Sequence, residues 1–110
     1  MRTTFKMYHD AGHGWLAVKR QVLEDLALIN CVSRCSYVKG KTVYLEEDQD
    51  FTMFKNAYEQ AYAKTFEVLN VDHGNRSFIR NYESFVTAAN STWVEVNNDG
   101  VVNELVKSEF

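Results

Sequence analysis

The chain alternates between short runs of period-two hydrophobicity and two stretches of helical periodicity. Thr4 to Tyr8 reads as a first strand, with Phe5 and Met7 on one face and Lys6 and Tyr8 on the other. His9-Asp10-Ala11-Gly12-His13-Gly14 follows, and two glycines within three residues mark a sharp turn. Trp15-Leu16-Ala17-Val18 reads as a second strand, so the pair forms a hairpin closed by the glycine turn. Val22, Leu23, Leu26 and Ile29 then recur at helical spacing, which predicts a helix over 19–29 ending near Asn30.

Residues 36–38 and 42–46 are β-prone and flank Lys39-Gly40-Lys41, the pattern of a second hairpin. The clearest periodicity comes next. Phe51, Phe54, Ala57, Tyr58, Ala61 and Tyr62 share one face of a helix expected over 50–62. The acidic run Glu46-Glu47-Asp48-Gln49-Asp50 precedes it. Asp48 or Asp50 is expected to cap that helix, with the acidic charge at the favourable end of its dipole. Residues 65–71 and 77–82 read as further strands around a His73-Gly74-Asn75 turn. Residues 92–96 read as a strand and 101–106 as a short helix, with 86–91 as the connection. The order β-β-α-β-β-α-β-β predicts an α+β fold: a small antiparallel or mixed sheet with two main helices packed on one face. Residues 1–85 are expected to form a single core domain. Residues 86–110 are expected to add a strand/helix appendage packed on the same domain.

A length of 110 residues suits one domain, and 14% aromatics imply a core built on Phe, Tyr and Trp. There is no proline, which argues against a stiff linker or tail. The net charge of −3 conceals an imbalance: residues 1–45 hold seven Lys/Arg against three Asp/Glu, and residues 46–110 hold five against twelve. A nucleic-acid binder usually has a strongly basic domain, so any such role would rest on a local face. Lys19, Arg20, Arg34, Lys39 and Lys41, with Trp15 and Tyr37 interleaved, are the candidates for a nucleic-acid-binding module. The start of the chain has no signal-peptide pattern, and no apolar run reaches the roughly 18 residues of a membrane helix. A cytoplasmic protein without a membrane partner is expected.

The three histidines, His9, His13 and His73, all lie beside turn glycines. With Asp10 they form the one constellation that could converge on a zinc-like divalent ion, as a metal-binding or metal-dependent hydrolase module. The alternative for Asp10 is an Asx-turn within its own loop. No nucleophile elbow, P-loop or dinucleotide fingerprint is present. Absence of a strong catalytic pattern favours binding over catalysis, with no cofactor. The expected binding surface comprises His9, Asp10, Gly12, His13, Gly14 and Trp15, with His73, Asn75 and Arg76 beside them. If the turn is a working surface, Gly12 and Gly14 are expected to hold positive-φ conformations that aim His13 and Trp15 outward; of the two, His13 is expected to matter for function and Trp15 mainly for folding.

Three segments carry a resemblance: His9 through Val18 (HDAGHGWLAV), Thr42 through Asp48 (TVYLEED) and Asn75 through Arg80 (NRSFIR). Together they resemble a family of small uncharacterised proteins of bacteriophage and other mobile elements. The resemblance covers roughly residues 4–83 and brings no activity with it. It implies a viral protein expressed in the cytoplasm of a bacterial host, where small accessory proteins commonly bind and alter a host protein.

Cys31 and Cys35 are expected to be reduced, small hydrophobes at a helix end. A bond between residues four apart would close only a short loop and constrain little. Adding a reducing agent should therefore leave the melting temperature unchanged, and a clear drop in a thermal scan would contradict the reading.

Overall fold

A computed structural model describes residues 3–90 of the chain. The expected strand at 92–96 and helix at 101–106 lie outside the described residues. Strands β1 (Thr4–His9) and β2 (Gly14–Lys19) form the first hairpin, and β3 (Tyr37–Lys39) and β4 (Thr42–Glu46) form the second. Gly40 turns the second hairpin at φ +59°, a conformation that explains glycine there. Strands β5 (Glu67–Asp72) and β6 (Glu83–Ser84) complete one six-stranded sheet in the order β5-β1-β2-β4-β3-β6. Only β1 and β5 run parallel; the other neighbours are antiparallel. The fold is α+β, as expected, with a mixed sheet larger than the small one expected.

Strict alternation assigns each face of the sheet. Met7 pairs with Leu16 and Leu16 with Leu45, while Val18 pairs with Val43. These side chains are buried and join Leu23, Phe54 and Tyr58 in one core. Leu23 comes from helix α1 (Arg20–Asp25), and Phe54 and Tyr58 come from helix α2 (Gln49–Tyr62), so both helices pack on this face. Phe5, Phe54, Tyr58 and Phe66 meet edge to face or tilted, with centroids 5.0–6.1 Å apart. Such ring pairs add to the apolar burial that drives the core together. Tyr62, expected to be partly buried, is 44% exposed because it lies on the last turn of α2.

The first helix is shorter than its hydrophobic period predicts. It ends at Asp25, where Ala27 takes a left-handed turn at φ +59°, and the chain resumes as a 3-10 turn at Ile29–Cys31. Leu23 and Leu28 still reach the core, because a tight turn carries apolar residues inward as a helix would. Cys31, at the end of the 3-10 turn, and Cys35, in the loop that follows, are free but exposed and do not pack as small hydrophobes. Residues 77–82, expected as a strand, instead form a 3-10 turn at Phe78–Asn81. Ser77 caps it by accepting from the Ile79 amide at 3.1 Å.

Neither Asp48 nor Asp50 caps α2. The side chain of Glu46 does so, accepting from the Asp48 and Gln49 amides at 3.2 and 3.4 Å. Asp50 points inward and is buried. It accepts from the Ser33 hydroxyl at 2.7 Å, the Ser33 amide and the Ser36 hydroxyl, tying the loop before β3 to the start of α2. Residues 85–90 stay on the body: Phe85 is buried, and Asn90 Nδ2 donates to the carbonyls of Val32 and Phe85.

Phe54 is fully buried at the centre of the aromatic core. Phe54→Ala should lower stability by about 3–5 kcal/mol in denaturant unfolding, because it removes apolar contact and leaves a cavity. A loss below about 1 kcal/mol would place the core elsewhere.

Candidate functional site

The turn between β1 and β2 is built on the carboxylate of Asp10. Its Oδ1 accepts from the amides of Gly12 and His13, both at 3.0 Å, in the Asx geometry. Its Oδ2 accepts from the Ser77 amide at 2.9 Å. Arg80 then closes over both oxygens: Nε donates to Oδ2, and Nη2 donates to Oδ1 at 2.9 Å. A two-pronged guanidinium contact of this kind fixes orientation as well as charge. The Asp10 side chain has no exposed surface, and Arg80 beside it holds its carboxyl well below the usual carboxylate range. Backbone donors from Ser77, Gly12 and His13 act in the same direction.

Arg80 also lies over the indole of Trp15, with its guanidinium carbon 5.2 Å from the ring centroid. Trp15 is itself only 1% exposed, and Tyr37 packs edge-on against it at 6.1 Å. Trp15 is therefore buried, as a residue serving mainly the fold would be, and is not the outward-facing side chain that a working turn would present. Gly12 and Gly14 are also absent from the positive-φ residues; among the described glycines these are Gly40 and Gly74. Glycine is needed at the two positions for room. A Cβ at residue 12 would sit 3.0 Å from Arg80 Nη2, and one at residue 14 would sit 2.9 Å from His9 Nδ1 and 3.0 Å from Glu47 Oε1.

The structure separates the expected metal ligands. Asp10 is consumed by the turn and Arg80. His9 Nε2 bonds Asn70 Oδ1 at 2.7 Å, and His73 Nδ1 bonds Ser77 Oγ at 2.7 Å. His73 is also stacked between Tyr8 and Phe78, with centroids at 4.8 and 4.6 Å. Only His13 faces carboxylates: its Nδ1 is 4.0 Å from Glu46 Oε2 and 4.0 Å from Glu47 Oε2. Among the described residues, His13, Glu46 and Glu47 are the group whose donor atoms, all within 4.8 Å of one another, could hold a divalent ion. One oxygen of Glu46 is already spent on the α2 amides. Burial pushes the Glu46 carboxyl up, against the opposing pull of those amides.

His13, Trp15, Tyr37, Glu46 and Arg80 line an open hollow of about 430 Å³, which Cys35, Asp48 and Gln49 complete. Asn75 and Arg76 are exposed in the neighbouring turn, and Arg76 reaches Asn81 at 3.4 Å. The sequence did not place Arg80, Tyr37, Cys35 or Glu46 in this site: Tyr37 was expected on a nucleic-acid face, Cys35 as a small hydrophobe and Glu46 only in the acidic run before α2. Arg80 had one signal, its place at the end of the Asn75–Arg80 segment. Nothing in the local pattern of Tyr37 or Cys35 shows that they meet the first turn.

Unfolding returns Asp10 to its ordinary pKa of 3.8. Because its folded pKa is depressed, the contribution is complete above that range and is lost as pH falls below 3.8, where the unfolded chain takes up a proton first. Asp10→Asn should lower the melting temperature at neutral pH and make the acid limb of stability shallower. Thermal scans from about pH 7 to about pH 3 measure both, and an unchanged acid limb would deny the pair this role.

Comparison with protein-family models, with curated proteins and with solved structures gives no match to this chain.

Proposed function

We propose that the chain is a phage-encoded accessory protein that acts inside the bacterial host by binding a host protein. The observation that carries this reading is a convergence. The three segments that bear the family resemblance, far apart in sequence, meet around one hollow. His13 and Trp15 come from the first, Glu46 and Asp48 from the second, and Arg80 from the third. The hollow is held rigid by the Asp10–Arg80 pair, so little order would be lost when a partner docks.

Charge favours one kind of contact. Asp10 neutralises Arg80, which leaves Glu46, Glu47 and Asp48 beside His13 at the rim. A projecting Lys or Arg side chain of the partner fits this combination of carboxylates and aromatic wall. Of the nine positions expected to form the surface, His13 keeps a direct role. Asp10, Gly12, Gly14 and Trp15 shape the hollow from beneath. His9, His73, Asn75 and Arg76 flank it.

The test is a pull-down from bacterial lysate followed by affinity measurement with the recovered partner. His13→Ala and Asp48→Asn should each weaken binding about tenfold with the melting temperature unchanged, as rim contacts to a hot spot do. Trp15→Ala should instead cost about 3–5 kcal/mol of stability. Unaltered binding by folded His13 and Asp48 variants would remove the hollow from the contact surface.

A further inference from the structure

The face of the sheet opposite the helices is not used by the hollow along its whole length. The 3-10 turn at Phe78–Asn81 lies against one end of it, through Arg80 on Trp15 and Tyr82 on Tyr44. Beyond it, Thr4, Lys6, Tyr8, Ala17, Lys19, Thr42 and Tyr44 line a groove of about 430 Å³. Register places Lys6 opposite Ala17, Ala17 opposite Tyr44, and Lys19 opposite Thr42, so these side chains share the open face. Lys39 joins them, opposite Thr42 on the next strand.

Above the groove stands a closed circuit of rings. Tyr8 meets Tyr44 at 6.2 Å, Tyr44 meets Tyr82 at 5.3 Å, and Tyr82 meets Phe78 at 5.8 Å. His73 completes it, between Phe78 and Tyr8. Phe78 is 55% exposed, and Lys39 Nζ sits 5.6 Å from the Tyr82 ring centroid. On the edge strand, Leu69 lies opposite Lys6 and is 52% exposed. Among the described residues no carboxylate lines the groove; Glu67 lies opposite Thr4 at the end of the edge strand.

We propose that this face binds single-stranded nucleic acid, with Lys6, Lys19 and Lys39 meeting phosphates and the rings of Tyr8, Tyr44, Tyr82 and Phe78 receiving bases. Charge complementarity and ring area point to this ligand. Lys6 and Lys19 outnumber the carboxylates of the groove, where Glu83 lies only beside Lys39 and Tyr82, and such a surface draws a polyanion; every base offers a π-face to an aromatic platform. A duplex hides those faces and would present only its phosphates. Burial and the neighbouring hydroxyls of Tyr82 and Tyr8 push the Tyr44 phenol up. Of the basic residues expected from sequence to form such a surface, Lys19 and Lys39 lie here. Arg20 is paired with Glu24, and Trp15 and Tyr37 belong to the hollow. The surface is separate from that of the proposed host-protein contact, so either can fail without the other.

Fluorescence anisotropy with labelled oligothymidylate and oligouridylate of about 12 nucleotides tests the proposal, titrated between about 50 mM and about 200 mM salt. Binding should weaken as salt rises. Lys6→Ala/Lys19→Ala, two exposed positions whose loss should not disturb folding, should reduce affinity about tenfold or more and lower the salt slope by about 1.4. Tyr44→Leu should cost about tenfold through lost stacking. Lys55→Ala/Lys64→Ala, which removes equal charge elsewhere, should leave affinity within about twofold. The proposal is overturned if no anisotropy change occurs at about 50 mM salt, or if a duplex of the same length binds as tightly. Equal losses in the two double-lysine variants would also overturn it, as would displacement of the strand by polyglutamate at equal charge, which would make an acidic protein the ligand.

Discussion

The carboxylate of Asp10 joins two parts of the chain that are 70 residues apart. It receives two amides of its own turn, one amide of the Ser77 region and both prongs of Arg80. Together these donors satisfy a carboxylate that would otherwise be costly to shield from water. The consequence reaches further than the turn. Arg80 can lie across Trp15 only because Asp10 holds it there, and the 3-10 turn that carries Arg80 also places Phe78 and Tyr82 on the open face of the sheet. The hollow and the ring circuit thus depend on the same ion pair.

Asp50 performs a related task in a second polar network. Buried at the start of α2, it gathers the Ser33 and Ser36 hydroxyls, and Ser36 in turn accepts from the Glu46 amide at 2.9 Å. Glu46 is thereby fixed at both ends, its backbone in this network and its side chain on the α2 amides. That leaves one carboxylate oxygen aimed toward His13. Two buried or shielded aspartates, each fully engaged, therefore set the positions of the polar side chains that line the hollow. A polar network that is completely satisfied specifies a single arrangement where a loose apolar contact would allow several.

The sheet separates two kinds of surface. One face is apolar and closed by α1 and α2, with Phe5, Phe54, Tyr58 and Phe66 interlocked. The other carries tyrosines and lysines, and only part of it is crossed by the segment that follows β5. Alternation at period two sorts these residues without exception along β1 and β2: Phe5 and Met7 to one side, Lys6 and Tyr8 to the other.

Local pattern was enough for the two hairpins, for α2 and for the apolar face, because strand alternation and helical period are properties of neighbouring residues. It was enough to mark His9–Trp15 as a structured turn and to offer an Asx role for Asp10. It misjudged what depends on contacts at long range. Residues 77–82 have strand-like composition, yet Arg80 is drawn to Asp10 and the segment coils into a 3-10 turn to reach it. Val22, Leu26 and Ile29 keep helical spacing, yet the helix stops at Asp25. Glycines 12 and 14 looked like positive-φ positions and proved to be clearances for Arg80, His9 and Glu47. The three histidines, alike in sequence context, were dispersed to Asn70, to Ser77 and to two glutamates. Sequence by itself determined the apolar faces of β1, β2 and α2, though not the burial of Asp50 or the exposure of Cys31 and Cys35. Tertiary structure alone decided which polar side chains would meet, because a hydrogen bond or ion pair between residues 70 positions apart leaves no periodic trace in the chain.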